Sequence, residues 1–275
     1  MSEPSTAVDP IPVAPAPVAA LLVDRDPAGI VTLTFNRPQV LNALDWDAMA
    51  LFEKTVESLH AETAAGEGPR LLILTGAGER AFCSGGDQAV LHSQLAAADG
   101  ERLAQLMGQA LRRLEQLPIP TVAAVNGFAL GGGSEIALAC DLRVVDAAVR
   151  FGLVHSKLGL IPGWGAGQRL IRLLGPARAM DLMLSGRQLG AAELEQLGLA
   201  TRRAAEGGAL AAARTLASEI LALDPAVARA IKAVISAHRE LPYAAALDAE
   251  AALFPALWVG EAHVRAVAAF LGRRG

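Results

Sequence analysis

Hydrophobic and polar residues alternate in different ways along this chain, and the patterns predict strands and helices in the first half and helices in the second. Apolar runs at residues 19–24 and 30–35 flank a stretch of turn-forming residues, so a β-hairpin is expected to open the fold. Further strands are predicted at residues 71–75, 121–125 and 142–145, with a helix at 44–60. Because strands and helices alternate as far as residue 152, the sequence predicts an α/β protein with a mostly parallel sheet covered by helices.

The second half of the chain has an almost wholly helical pattern. Helices are predicted at residues 168–174, 177–185, 191–197, 208–223, 225–240, 243–257 and 261–271, and one short strand at 200–203. The last helices carry apolar residues on more than one side, among them Ile231, Ile235, Phe254 and Trp258. Such helices usually need a partner surface, which predicts self-association through this region. Closure of these helices over their own core is the alternative.

Three regions follow from this pattern. Residues 1–18 are rich in Pro, Ala and Val and contain no Lys or Arg, so they lack the charged start of a secretory signal and are expected to be a disordered tail. Residues 19–205 are predicted to form the core, which would carry the site. Residues 206–275 are predicted to form a helical oligomerisation region.

Composition and charge narrow the class of protein. The chain has 275 residues, of which 53% are hydrophobic, and this is enough for a sizeable core. Its 24 Lys and Arg residues face 28 Asp and Glu residues, and no basic block occurs, so nucleic acid is not an expected partner. No apolar run approaches the roughly 20 residues of a membrane helix, so a soluble protein is expected.

The positions of the cysteines and histidines argue against a disulfide framework and against a metal site. Cys83 and Cys140 lie in apolar contexts without metal-type spacing, which indicates a reducing cytoplasm and no disulfide framework. The other histidines besides His155 show no ligand spacing, so no metal is expected.

Two glycine-rich stretches carry the candidate chemistry: Phe-Cys-Ser-Gly-Gly-Asp at residues 82–87 and Asn-Gly-Phe-Ala-Leu-Gly-Gly-Gly-Ser-Glu at 126–135. The first follows the predicted strand at 71–75, and the second leads into an apolar segment that predicts a buried helix. Glycine lets the main chain approach a ligand, and a helix N-terminus adds unsatisfied N–H groups. The two stretches are therefore expected to form the two halves of an oxyanion hole.

Together with several other motifs, these stretches resemble the crotonase superfamily of enoyl-CoA hydratases and isomerases. The motifs are Asn-Arg-Pro at 36–38 before Leu-Asn-Ala-Leu at 41–44, Ile-Pro-Thr-Val-Ala-Ala-Val at 119–125, Cys-Asp-Leu-Arg at 140–143, and Phe-Gly at 151–152 before Gly-Leu-Ile-Pro-Gly at 159–163. The match spans nearly the whole chain. The resemblance implies a core of repeated ββα units, a helical C-terminal region that forms trimers and often hexamers, and an acyl-CoA thioester as substrate. It implies no metal or redox cofactor.

The resemblance also implies roles for individual residues. The backbone N–H groups of Gly86 and Gly132 match the pair that binds the thioester oxygen, and the loop around Val40 and Leu41 matches the backbone that contacts the adenine end of coenzyme A. Further candidate contacts of the substrate are Ser84, Asp87, Trp164, Phe254 and Arg273. Of these, Asp87 is expected mainly to cap the helix after the glycine turn. Trp164 is expected to line the acyl pocket or to fill the core beside it.

Two positions carry acid–base chemistry in the hydratases of this family. Glu135 matches the first glutamate, at a predicted helix start, and a carboxylate stabilised only by the helix dipole is the alternative. The second glutamate is absent, and His155 stands in its place. An imidazole ordinarily titrates at about pH 6.5, so it can transfer a proton near neutrality or, when protonated, hold a substrate carboxylate. An inert core histidine is the alternative.

The segment around His155 is similar to one branch of the superfamily, the alkylmalonyl-CoA decarboxylases. The shared pattern is Val154-His155 followed by Gly-Leu-Ile-Pro-Gly-Trp-Gly at 159–165. Decarboxylation needs an oxyanion hole for the enolate and one acid to protonate it, whereas hydration also needs an activated water. The replacement of a glutamate by His155 therefore bears on the type of reaction.

Two residues near the first glycine stretch have weaker claims to a role. His92 lies shortly after Asp87, in a region where a related dehalogenase branch uses a histidine. Cys83 lies beside the glycine turn but has no evident base in the sequence, so it is interpreted as packing.

The sequence therefore predicts a crotonase-fold, cytoplasmic acyl-CoA enzyme that stabilises a thioester enolate. Hydration or isomerisation of an enoyl-CoA is the first expectation, and decarboxylation of an alkylmalonyl-CoA is the second. A non-catalytic CoA-binding oligomer is the alternative outside the class of enzymes.

Overall fold

The computed structural model describes residues 19–93 and 95–272, and these form an α/β structure with two sheets. The expected tail at 1–18 and Arg273 lie outside the described residues. In chain order the strands are β1 (Leu21–Arg25), β2 (Ile30–Phe35), β3 (Leu71–Gly76), β4 (Ala81–Cys83), β5 (Thr121–Val125), β6 (Phe128–Leu130), β7 (Leu142–Val145), β8 (Arg150–Gly152) and β9 (Arg202–Arg203).

The helices lie mainly around these sheets and in the second half of the chain. They are α1 (Trp46–Ala64), α2 (Gln88–Leu91), α3 (Ala97–Gln116), α4 (Gly132–Ala139), α5 (Ala166–Leu174), α6 (Pro176–Ser185), α7 (Ala191–Gln196), α8 (Ala209–Leu221), α9 (Pro225–Glu240), α10 (Tyr243–Trp258) and α11 (Glu261–Leu271). Two short 3₁₀ helices lie at Pro38–Val40 and Val154–Leu158.

The larger sheet has six strands in the order β1-β2-β3-β5-β7-β9. β1 and β2 form the predicted antiparallel hairpin, whose turn contains Gly29 with φ +93°, a conformation that favours glycine. Every other pair in this sheet is parallel. The prediction of an α/β protein with a mostly parallel sheet is confirmed.

Successive residues of the central strand β3 face two separate apolar layers. Leu71 and Ile73 pack in one cluster with Ala213 of α8, and Leu72 and Leu74 belong to the main core cluster, which also contains residues of α1, α3 and α4. Because both faces are covered, the strand reads as a continuous apolar run instead of an alternating one. The packing of the sheet thus includes α8, which lies beyond residue 205.

The smaller sheet, with strand order β4-β6-β8, is absent from the predicted elements, and it positions the glycine-rich stretches. Its strands have three residues each, which is too short for a clear hydrophobic period. β4 leads into the first glycine stretch, and β6 leads into α4. Helix α3 is also absent from the predicted elements, although its buried residues Met107, Ala110, Leu111 and Leu114 recur at helical spacing.

Helices α9–α11 extend from the core. Lys232 of α9 is buried, and its Nζ donates to both carboxylate oxygens of Asp141 at 2.7 Å. Burial lowers the pKa of Lys232, and the negative charge of Asp141 opposes that effect. Helices α10 and α11, which lie wholly within the described chain, contain no buried residue, and Phe254 and Trp258 are 60% and 58% exposed. The predicted self-association and the boundary at residues 205 and 206 stay predictions.

Two further features are absent from the described residues. None of the helices in residues 19–93 and 95–272 is long and apolar enough to cross a membrane. The same residues contain no group of three His, Cys, Asp or Glu side chains arranged to hold a metal ion.

Candidate active site

The first glycine-rich stretch forms a turn after β4 whose conformation depends on glycine. Gly85 has φ +98°, which side chains rarely allow. The N–H of Leu44 donates to the Gly85 carbonyl, and the N–H of Asp87 donates to the Leu44 carbonyl, each at 2.8 Å. These two bonds flank Gly86 in a parallel bridge, so the N–H of Gly86 points away from Leu44.

The second glycine-rich stretch presents an amide at a helix start. Gly131 has φ +53°, and α4 begins at Gly132, whose N–H has no acceptor within the helix. A Cβ at Gly85 would lie 2.9 Å from the Gly132 nitrogen, and a Cβ at Gly133 would collide with the carbonyl of Cys83. The two stretches therefore approach each other closely, and glycine makes that approach possible.

Glu135 lies in the first turn of α4 and is only 1% exposed. Its Oε2 accepts hydrogen bonds from the backbone N–H groups of Trp164 at 2.9 Å and Ala166 at 3.0 Å, at the start of α5. Its Oε1 lies 3.0 Å from Nε2 of His155. Both carboxylate oxygens thus contact groups outside α4. A carboxylate stabilised only by the dipole of its own helix would not need these contacts.

His155 lies on the 3₁₀ helix Val154–Leu158, and its side chain is 12% exposed. Nε2 is the ring nitrogen that faces the Glu135 carboxylate, at 3.0 Å from Oε1. Nδ1 is buried and has no hydrogen-bond partner among the described residues. An inert core histidine ordinarily has its polar atoms satisfied, and His155 does not.

One cavity of about 270 Å³ is lined by both glycine stretches, Glu135 and His155. Its other walls are mostly apolar and include Leu91, Leu103, Ala104, Val154, Leu158, Leu160, Ile161 and Trp164. The structure thus brings together Gly86, Gly132, Glu135, His155, Ser84 and Trp164. A mostly apolar cavity with a few convergent polar groups is the usual form of a small-molecule site.

Trp164 both lines this cavity and belongs to the buried core. Its side chain packs over Gly132, where a Cβ would collide with the indole ring. The residue is 5% exposed, and its backbone N–H holds Glu135. The indole therefore lies directly beside one of the two candidate oxyanion amides.

The loop after β2 is fastened to the first glycine stretch. Leu41 and Asn42 have φ 56° and 57°, an uncommon conformation for residues with side chains. The side-chain amide of Asn42 donates to the Ala81 carbonyl at 2.7 Å, and the N–H of Ser84 donates to the Leu41 carbonyl at 3.0 Å. Val40, at the outer side of the loop, is 37% exposed. These bonds place Val40 and Leu41 next to Ser84.

The expectation that Asp87 caps α2 is wrong. Asp87 occupies the N-cap position, but its side chain makes no capping hydrogen bond. Its Oδ2 lies 3.0 Å from Nη1 of Arg37, and Nη2 of the same arginine lies 3.0 Å from Oδ2 of Asp45. A partly buried guanidinium is a stronger partner for a carboxylate than the first amides of a four-residue helix.

Three other candidates do not line the cavity. Phe254 lies on α10, where its ring centre is 5.7 Å from that of Trp258. His92 follows α2 and is exposed. Cys83 is buried, and burial raises the pKa of its thiol to about 12. Because the thiolate is the nucleophilic form, this environment agrees with packing.

A second cavity, of about 720 Å³, adjoins the first, since Gly163 and Trp164 line both. Its lining is charged and includes Arg112, Glu115, Arg169, Arg172, Arg239 and Glu240. The turn at residues 163–165 therefore borders an apolar space and a polar one.

Three residues that build these surroundings have no role among the predictions from the sequence. Arg37 and Asn42 lie within the motifs at 36–38 and 41–44, and these motifs were the signal that could have pointed to a structural role for both residues. Arg169 has no such local signal, because its partner Glu115 lies 54 residues away in the chain.

Comparison with known proteins agrees with this architecture. A family model described as enoyl-CoA hydratase/isomerase matches residues 25–275. A short-chain-enoyl-CoA hydratase of Clostridium acetobutylicum is 32% identical over 245 residues, which cover 89% of this chain and 92% of that protein. An ethylmalonyl-CoA decarboxylase of Gallus gallus is 34% identical over 248 residues, which cover 89% of this chain and 82% of that protein. The crystal structure of an enoyl-CoA hydratase from Bacillus anthracis matches with a TM-score of 0.84 at 29% identity, covering 93% of this chain and 97% of that one.

These matches define the class of protein. The chain belongs to the enoyl-CoA hydratase/isomerase family. The resemblance to the crotonase superfamily and the predicted fold class are confirmed, and the protein is an enzyme of this family.

Proposed function

We propose that this enzyme binds an acyl-CoA thioester and stabilises its enolate in hydratase or isomerase chemistry on an enoyl-CoA. The observation that carries the proposal is the 3.0 Å contact between Glu135 Oε1 and His155 Nε2, in the cavity that Gly86 and Gly132 also line. A pair of side chains suited to proton transfer and two candidate backbone donors therefore lie in the same cavity.

The N–H groups of Gly86 and Gly132 supply the electrostatic part of the reaction. A thioester oxygen between them accepts both hydrogen bonds, and negative charge grows on that oxygen as the enolate forms. Removal of one such donor typically costs about 2.7–4 kcal/mol of transition-state stabilisation. The mostly apolar walls of the cavity lower the local polarity and so strengthen these bonds.

Glu135 and His155 supply the proton transfer. Because two backbone amides occupy Oε2 of Glu135, Oε1 is the oxygen left to exchange a proton with the substrate or with His155. In hydration, the water oxygen bonds to Cβ, one water proton passes to the pair, and Cα receives a proton. In isomerisation, the pair moves one proton between Cα and Cγ.

Hydration of crotonyl-CoA tests the proposal directly. The native enzyme is expected to remove the conjugated thioester absorbance, and Glu135→Gln is expected to reduce that activity to a small residual rate because an amide cannot take up the proton. Glu57→Gln, on the exposed side of α1, is the matched control and should retain the native rate. Equal rates for the native enzyme and Glu135→Gln would contradict the proposal, and binding of acyl-CoA without turnover by either protein would favour a non-catalytic CoA-binding oligomer.

Decarboxylation of an alkylmalonyl-CoA is the second candidate, and the identity of residue 155 favours it. His155 stands where the hydratases have a second glutamate, and the decarboxylase of Gallus gallus is among the relatives. In this reaction the bond from Cα to the carboxylate breaks and carbon dioxide leaves. The electron pair forms the enolate held by Gly86 and Gly132, and Cα then takes a proton. Carbon dioxide release from ethylmalonyl-CoA, without hydration of crotonyl-CoA, would make this the enzyme's reaction.

The remaining candidate residues are proposed contacts of the substrate. Val40, Leu41 and Ser84, joined by the bonds between their loops, are proposed to contact coenzyme A, and Asp87 is proposed to steady the same loop through Arg37. Trp164 is proposed to contact the acyl group, and Phe254 the nucleotide. Phe254→Ala is then expected to raise KM for crotonyl-CoA with little change in kcat.

We further propose that the enzyme forms a homotrimer or hexamer through α9–α11, works in the cytoplasm and needs no cofactor besides the coenzyme A of its substrate. The exposed apolar residues of α10 and α11 support the assembly, since large apolar patches commonly mark interaction surfaces. The free thiols of Cys83 and Cys140 support a reducing compartment. Light scattering on the purified enzyme measures the assembly, and a monomer would contradict it.

A further inference from the structure

The turn at residues 163–166 determines where the Glu135 carboxylate lies. The N–H groups of Trp164 and Ala166 bind Oε2 at 2.9 and 3.0 Å, so a movement of the turn moves their acceptor. The same movement would change the 3.0 Å contact between Oε1 and His155. Because the turn contains Gly163 and Gly165, its conformation needs support from outside its own backbone.

The Arg169 side chain provides that support. Its Nη1 donates to the Trp164 carbonyl at 2.7 Å, and its Nη2 donates to Oε2 of Glu115 at 2.6 Å. Gly165 has φ +99°, and a Cβ at that position would lie 2.8 Å from Nη1 of Arg169. Glycine at position 165 thus leaves the room that the guanidinium occupies.

Glu115 connects Arg169 to helix α3. The two side chains are 11% and 21% exposed, so solvent and salt screen this ion pair less than the ion pairs of the surface. Helix α3 also lines the apolar cavity through Leu103 and Ala104. The pair therefore ties the turn to a helix that forms another part of the cavity wall.

We infer that Arg169, held by Glu115, is a positioning residue for Glu135. The inference rests on the proposed function, in which Glu135 exchanges a proton during the reaction. Arg169 acts through the main chain of Trp164, whose carbonyl it binds and whose N–H binds Glu135. An arginine serves here because one planar group bonds two acceptors in a fixed geometry, which a lysine ammonium does not reproduce.

Steady-state kinetics with Arg169→Met is the first test. The variant is expected to lower kcat on crotonyl-CoA by about tenfold to hundredfold, because a misplacement of about 1 Å can cost a factor of about 100. KM is expected to change by less than about twofold, since Arg169 does not line the apolar cavity. Arg169→Lys is expected to restore a part of kcat, because it keeps the charge.

Arg113→Met is the matched control. Arg113 also forms an arginine–glutamate pair on α3, at 2.7 Å from Glu53, but its partners Glu53 and Glu57 lie on α1 and not at the turn. Its kcat is expected to equal that of the native enzyme. A loss as large as that of Arg169→Met would overturn the inference.

The Glu135→Gln background separates positioning from a general loss of structure. If Arg169 acts through Glu135, adding Arg169→Met to Glu135→Gln lowers the residual rate by less than about twofold. The inference is overturned by an equal fractional loss in both backgrounds, and also by a lower melting temperature with unchanged kcat.

NMR of the ligand-free enzyme distinguishes failure of this inference from failure of the proposed function. Arg169→Met is expected to shift the amide signals of Trp164 and Ala166 and the ring signals of His155, and Arg113→Met is expected to leave them in place. If these signals shift while Glu135→Gln keeps full turnover, the positioning of Glu135 stands and the proposed reaction falls. If they do not shift, the positioning falls whatever the reaction is.

Discussion

The two cavities that meet at Trp164 share a wall but differ in their chemistry. The smaller one, of about 270 Å³, is lined mostly by apolar side chains and contains Glu135 and His155. The larger one, of about 720 Å³, is lined by Arg112, Arg169, Arg172 and Arg239 with Glu115 and Glu240. One segment of main chain serves both, because the Trp164 N–H binds Glu135 and the Trp164 carbonyl binds Arg169.

The difference in lining suits the smaller cavity to the proposed chemistry and the larger one to supporting the turn between them. Hydrogen bonds to a developing charge are stronger in an apolar space than in water. The Arg169–Glu115 pair beside that space can hold a turn without bringing its charges next to the substrate. We therefore expect substitutions in the smaller cavity to change the chemistry and exposed substitutions in the larger one to change little.

The largest effect is expected at the shared wall, from Gly132→Ala. A Cβ at this position would collide with the Trp164 ring and displace the amide proposed to bind the thioester oxygen. Turnover of crotonyl-CoA is expected to fall about 100-fold or more, and the free energy of unfolding by about 1–3 kcal/mol. Gly108→Ala is the control, since Gly108 lines only the larger cavity and a Cβ there meets nothing within 4 Å. Equal turnover of the two variants would remove Gly132 from the mechanism.

The next largest effect is expected from His155→Ala. The variant loses the 3.0 Å contact with Glu135 Oε1 and the second member of the proposed pair, so turnover is expected to fall about 100-fold. The melting temperature is expected to fall as well, because the variant leaves Oε1 of the buried Glu135 without its 3.0 Å neighbour. His92→Ala, at an exposed position, should retain native turnover. Native turnover of His155→Ala would instead support an inert histidine.

Trp164→Leu is expected to weaken the separation of the two cavities. A smaller side chain opens the end of the apolar cavity, so the ratio of kcat/KM for an eight-carbon to a four-carbon enoyl-CoA is expected to rise about tenfold. Assays with both chain lengths measure this ratio. Trp258→Leu, on α10, is the control with the same loss of volume and should leave it unchanged. An unchanged ratio in Trp164→Leu would mean that the indole does not limit the acyl chain.

The smallest effect is expected from Arg172→Met in the larger cavity. Arg172 is exposed, and surface substitutions commonly change the free energy of unfolding by no more than about 0.5 kcal/mol. Turnover of crotonyl-CoA is expected to stay within about twofold of the native value. A tenfold loss would show that the arginine-lined cavity takes part in the reaction, and the contrast between the two cavities would then fail.

Much of the fold follows from local patterns. The predicted limits of β5, β7, α9 and α11 coincide with the observed Thr121–Val125, Leu142–Val145, Pro225–Glu240 and Glu261–Leu271. These elements have long or clearly bounded apolar patterns, so their limits can be predicted from the sequence. The three-residue strands β4, β6 and β8 have no room for a pattern, and they form because neighbouring strands offer hydrogen-bond partners.

The candidate site shows the same division residue by residue. Gly86, Gly132, Glu135 and His155 could be selected from motifs, and the structure brings them to one cavity. The interpretation of Asp87 as a helix cap followed a sound local preference, but Arg37, distant in the chain, offers a stronger partner. The capping preference of a residue such as Asp87 is overridden where a charged side chain from a distant part of the sequence lies close to it.

The sequence by itself determined the family, the α/β class and the four residues of the proposed mechanism, because glycine turns, apolar periods and a glutamate at a helix start are short-range patterns. Only the tertiary structure decided which groups those residues meet. Glu135 binds amides 29 and 31 residues further along the chain, and Arg169 binds a glutamate 54 residues earlier. Such contacts depend on how helices pack on the two sheets, and the free energy of that packing is a property of the whole core rather than of any one segment.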